Sequence, residues 1–182
     1  MPKYEKINAN RSDLWVTGSV NKDDKRLREY YSANVQIFVD AYDATYKLLK
    51  LNQKQKLFIR NIRSYAGVYW NYRKEVAIDI RSRNIQSIVS TIIHECQHAL
   101  QYEKGDLKLS PKQNHKSWKG KCIKDSSALK QYKKYLALPW EVEARNAEYK
   151  HIKTIMKTIG QEFCQKTLDN NKKRESKMEV KS

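Results

Sequence analysis

The sequence predicts an α+β domain: three helices, with a group of short strands between the first and the second. Two observations carry this. Apolar residues recur at helical spacing in three separate stretches, and the stretch from Leu57 to Ile80 is instead built of β-branched and aromatic runs broken by turn residues. For the first helix, Asn21 to Asp24 supplies start chemistry, and Leu27, Tyr31, Val35, Phe38, Tyr42, Thr45 and Leu49 follow in phase. The runs LFIRNI, AGVYWNY and EVAIDI, interrupted near Ser64 and at Asn71 to Lys74, read as a small three-stranded antiparallel sheet.

A second helix spans Ile85 to Glu103, with Gly105 as its stop. Gly105 to Leu138 is basic and weakly patterned, so a long loop with a short strand is expected there, and loops of that length in compact domains are often functional. Pro139 suits the first turn of a last helix through Ile152, Ile155, Ile159 and Phe163. One domain over residues 1–168 and a disordered charged tail over 169–182 complete the organisation.

Lys and Arg number 37 against 20 Asp and Glu, a formal charge of +17. Such a surface favours an anionic partner, nucleic acid included, although the basic residues are spread over every segment. No stretch approaches the roughly 20 apolar residues of a membrane helix, and Met1 to Asn10 has no apolar signal core. The expectation is a soluble cytoplasmic protein. Cys96, Cys122 and Cys164 match neither a disulfide framework nor a metal knuckle, which predicts reduced and mostly buried thiols.

The chemistry is concentrated in STIIHECQHALQY. His94 and His98 stand four apart on a helix, so both imidazoles can reach one ion, with Glu95 between them as a general base. On a wheel of about 100° per residue starting at Ile85, Ile88, Val89, Ile92, Ile93, Cys96, Ala99 and Leu100 fall within about 80°, and the two histidines fall near 180° and 220°. The histidines therefore leave the apolar stripe and share the opposite face with Ser87, Ser90 and Gln101.

A catalytic zinc takes three protein ligands, so a third belongs downstream. Glu141 is in phase with the apolar residues of the last helix and points inward, whereas Glu143 falls about 200° round the wheel, toward solvent. An inward carboxylate is costly unless it is paired or bound to metal. His115, in NHKSWKGK, is the other candidate; its neighbours Lys112, Lys116, Trp118, Lys119 and Lys121 also suit a nucleic-acid or substrate contact. If His94, His98, His115 and Glu141 all bound one ion, the site would be a closed structural zinc site.

HECQHALQY after EVAIDI, followed by Pro139-Trp140-Glu141-Val142-Glu143-Ala144, resembles the zincin metallopeptidases in their gluzincin branch, over about Val76 to Tyr149. The resemblance implies a minimal zincin-like domain whose third ligand is Glu141, in the E-x-x-A pattern. His115-Lys116-Ser117-Trp118 is similar in spacing to the third-ligand motif of the SprT-like metallopeptidases, which digest DNA-attached proteins, but lacks its glycine. Either resemblance implies a zinc-dependent peptidase acting on protein or peptide: Glu95 takes a proton from the attacking water and passes it to the leaving amine. Tyr135 is a candidate donor to the oxyanion, and an edge strand within Ala66 to Ile80 a candidate dock for the substrate backbone.

Overall fold

In a computed structural model the chain is α+β, and the description below covers residues 4–5, 14–17, 25–53, 55–60, 62, 65–79, 84–109, 115–124, 132–165, 167–170 and 172–173, with side chains described from Val35 onward. The order is β1 (Tyr4–Glu5), β2 (Leu14–Thr17), α1 (Lys25–Leu49), β3 (Lys56–Arg60), β4 (Gly67–Trp70), β5 (Glu75–Asp79), α2 (Ile85–Glu103), β6 (Leu107–Leu109), β7 (His115–Trp118), β8 (Lys121–Lys124), α3 (Tyr132–Leu136) and α4 (Pro139–Thr158).

The three expected strands exist, but they belong to a mixed sheet of five, ordered β1-β2-β3-β5-β4. β1 and β2 run antiparallel, and α1 is the crossover that makes β2 parallel to β3. The expected antiparallel arrangement holds only for the β4–β5 hairpin; β3 and β5 are parallel, with Leu57 opposite Val76 and Ile59 opposite Ile78. Burial explains the order. Val76, Ala77, Ile78 and Asp79 are all buried, as in a strand covered on both faces, whereas every residue of β4 is only half-buried. β5 therefore takes the central place and β4 the edge.

The described residues between 105 and 138 do not form the long loop the sequence suggested. β6, β7 and β8 form a separate antiparallel sheet, and residues 132–136 form a short helix. The β7–β8 turn is Lys119–Gly120, at φ 46° and 82°, which are the two positive angles a two-residue hairpin turn requires. Leu107, Leu138 and Trp140 make a small core beneath this sheet.

The main core lies between α1, α2, α4 and the larger sheet. The apolar stripe of α2 is buried there as its periodicity required, with Ile88, Val89, Ile92, Ile93 and Cys96 no more than 1% exposed. Asn84 caps α2 by accepting from the Gln86 amide, and Gly105 follows its end at φ 74°. α4 starts at Pro139 as expected but ends at Thr158, because Gly160 adopts φ 67° and turns the chain five residues before the expected end.

Helical residues continue to 173, past the expected end of ordered chain at 168, and the rest of the expected tail, 174–182, lies outside the described residues, as does the Asn21–Asp24 helix start. Of the three free cysteines only Cys96 is buried, correcting the expectation of mostly buried thiols. No described helix is long and apolar enough to cross a membrane.

Candidate metal centre

α2 is the central helix, contacting α1, α4, β4, β5 and β6. Its histidine face is not solvated. Among the described residues α2 and α4 pack on one another more extensively than any other two elements, so the polar side chains of both helices meet in a nearly closed seam. His98 is 9% exposed, Glu95 7% and Glu141 3%.

Three ligand side chains converge there. Nε2 of His94 lies 3.1 Å from Nε2 of His98 and 3.2 Å from Oε2 of Glu141, and Nε2 of His98 lies 3.4 Å from Oε1 of the same carboxylate. His94, His98 and Glu141 form a group able to hold a metal ion. Ligands at the roughly 2.0–2.1 Å bond lengths of tetrahedral zinc stand about 3.3 Å apart; the two imidazole nitrogens stand near that spacing, and each faces a different oxygen of the Glu141 carboxylate.

The hydrogen bonds on the far side of each imidazole decide what the near side offers. Nδ1 of His94 donates to Oε1 of Glu148 at 2.6 Å, and the other Glu148 oxygen accepts from the Ser90 hydroxyl. Nδ1 of His98 donates to Oε1 of Gln101 at 2.9 Å. The orientation of that amide is fixed, since its nitrogen donates to Trp140 O at 2.9 Å and Glu143 Oε2 at 2.8 Å. With both Nδ1 atoms protonated, a neutral imidazole has only a lone pair at Nε2. In that neutral form two lone pairs and a carboxylate face one another at about 3 Å, an arrangement relieved by positive charge, either a metal ion or a proton on His94 Nε2 shared with Glu141. The donor set and its spacing thus fit a divalent metal such as zinc.

The surrounding electrostatics express the same demand for positive charge. Burial alone would lower the pKa of His94, but its bonds to Glu141 and Glu148 and the nearby Glu95 outweigh burial and raise it to about 10. Burial would raise Glu141, yet its bonds to His94 and His98 prevail and hold the carboxyl well below the usual range. Glu95 is lifted above the ordinary carboxylate range by burial, against the pull of both histidines. Burial, then the charge of Glu141 and a hydrogen bond to it, keep the Tyr135 hydroxyl protonated far past the tyrosine range.

The structure brings together His94, His98, Glu141, Glu95 and Tyr135. His115 stands apart: it is half-buried on β7 opposite Lys124 and is no member of the ligand group. Glu143, expected in solvent, is half-buried instead, accepting from Gln97 at 3.3 Å and Gln101, with Lys119 at 3.6 Å on its other oxygen. Glu148 and Gln101 were not anticipated as partners of the histidines, although Glu148 lies two turns beyond Glu141 on the same face.

β4 reaches the centre through Gly67. A Cβ there would lie 2.5 Å from Cγ2 of Thr91 and 3.0 Å from Cγ of Glu95, so the missing side chain is what lets the edge strand approach this turn of α2. No family model, curated protein or solved structure matches the chain.

Proposed function

We propose that the chain is a zinc-dependent peptidase built on a zincin-like domain. The observation carrying this is the convergence of the two imidazole Nε2 atoms and the Glu141 carboxylate at 3.1–3.4 Å, with a buried carboxylate, Glu95, on the same helix. A zinc ion held by His94, His98 and Glu141 would supply Lewis acidity and lower the pKa of its water from 15.7 to about 7.

The chain's own groups supply the rest. Glu95 accepts the proton of the attacking water and returns it to the leaving nitrogen. Tyr135, held neutral and hydrogen-bonded to Glu141, turns that O–H to the oxygen on which negative charge develops. Glu148 and Gln101 hold the two imidazoles in the required tautomer. The substrate backbone adds to β4, an edge strand held against Glu95 by Gly67. The DNA-associated form of this reading retains the net charge of +17 in its favour but loses His115 as a ligand.

Elemental analysis of purified protein should find about one zinc per chain, lost in Glu141→Ala and kept in His115→Ala. Glu95→Gln should keep zinc and folding while cleavage of denatured casein falls by about 10²–10⁴-fold, the usual contribution of a general base. Undiminished cleavage by Glu95→Gln, or a wild type that takes up no zinc, would refute the assignment.

A further inference from the structure

One cavity opens beside the metal centre, between the first half of α2 and the middle of α4. It encloses about 180 Å³ and is lined by Ser87, Ser90, Thr91, Glu148, Tyr149 and Ile152, with Gln86 and Leu168 completing the wall. Small-molecule sites commonly measure roughly 300–1,000 Å³, so this volume suits one side chain and not a whole ligand. Its position ties it to the reaction, since Glu148 lines it and also holds His94.

We propose that this pocket receives a cationic side chain, lysine or arginine, of the peptide substrate beside the scissile bond; the proposal rests on the peptidase reading above. Among the described residues Glu148 is the one charged group in the lining. A carboxylate accepts at about four lone-pair positions, and Glu148 uses one on each oxygen, for His94 and Ser90, which leaves capacity for an incoming N–H donor. The neighbouring polar groups do not compete. Ser90 is committed to Glu148, and both ends of the Gln86 amide are committed to the backbone of Cys164, at 3.2 and 3.0 Å.

Ile152 and the Tyr149 ring offer apolar surface to a methylene stem, as long basic side chains require. An acidic side chain would be set against Glu148, and an apolar one would strip water from it without replacing the lost hydrogen bonds.

The test uses the zinc-loaded full chain on a peptide mixture, with cleavage sites mapped by mass spectrometry and kcat/KM measured on matched peptides carrying Lys, Leu or Glu at the mapped position. Preference for Lys is expected at roughly tenfold, within the range one pocket contact provides. Ser87→Lys, which sets an ammonium in the pocket without touching the metal-holding residues, should abolish or invert the preference. Ser87→Glu should strengthen it, so the charge dependence is readable even if one variant folds poorly. Cleavage without basic enrichment, or enrichment indifferent to both variants, overturns the pocket assignment alone. A zinc-bearing protein that cleaves neither peptides nor denatured casein overturns the peptidase reading and the pocket with it.

Discussion

His94 and His98 are presented to the same point by two different partners, a carboxylate for one and a carboxamide for the other. Glu148 is the stronger of the two, because a charged acceptor makes a shorter bond and raises the basicity of the nitrogen opposite. Glu148→Gln keeps the shape but can present an amide N–H to Nδ1, favouring the wrong tautomer. Zinc affinity, measured by competition with a chelator, should fall about 10–100-fold, with the melting temperature of the zinc-free protein little changed. An unchanged affinity would show that His94 orients itself without Glu148. At this scale the sequence was readable where a helical wheel suffices. The i, i+4 histidines left the apolar stripe and Glu141 entered it. Glu143 was misread because a single-helix wheel cannot see the Gln97 and Gln101 amides of α2 that it meets, and Glu148 was passed over because it is useful only once α4 is known to lie along α2.

The approach of β4 to α2 depends on an absent side chain. Gly67→Ala brings Cβ to 2.5 Å from the Thr91 methyl and 3.2 Å from the Ala77 carbonyl oxygen, distances that force strand or helix to shift. Overpacking of this kind costs about 1–3 kcal/mol, which a urea denaturation midpoint resolves. Thr91→Ser deletes the methyl and keeps the hydroxyl that donates to Ser87 O, so in the double variant most of the loss should return. If the two losses simply add, the contact is not what sets the β4–α2 distance. Elements with strong punctuation were legible: Gly105 ends α2, and Pro139 opens α4. Strand order was less so, because pairing is a property of two segments and the sequence displays one at a time. Even so, the unbroken apolar run of β5 carries the signature of a central strand. The second sheet was hidden by its composition, since LKL, HKSW and KCIK hold few β-branched residues, and only the Lys119–Gly120 turn betrays the hairpin.

Across the whole molecule the centre acts as a cross-link. His94 and His98 come from α2 and Glu141 from α4, while Tyr135 ties in α3 and the Glu143–Lys119 pair the second sheet. Without a metal ion this junction gathers Glu95, Glu141 and Glu148 around two imidazoles, and a proton on His94 is what pairs it with the Glu141 and Glu148 carboxylates across the α2–α4 seam. A ligand that binds only the folded state stabilises by RT ln(1 + [L]/Kd), about 2.7 kcal/mol at a hundredfold excess over Kd. At the roughly 2–4 °C per kcal/mol expected for a domain of this size, zinc at that excess should raise Tm by about 5–10 °C above the chelator-treated protein. Scanning calorimetry of the stripped and reloaded chain reads this directly. His94→Ala should show no rise, because two remaining ligands hold the ion weakly, whereas His115→Ala should rise as the wild type does. An equal rise in His94→Ala would mean that zinc stabilises the chain from some other place, and the seam between α2 and α4 would then owe its stability to packing alone.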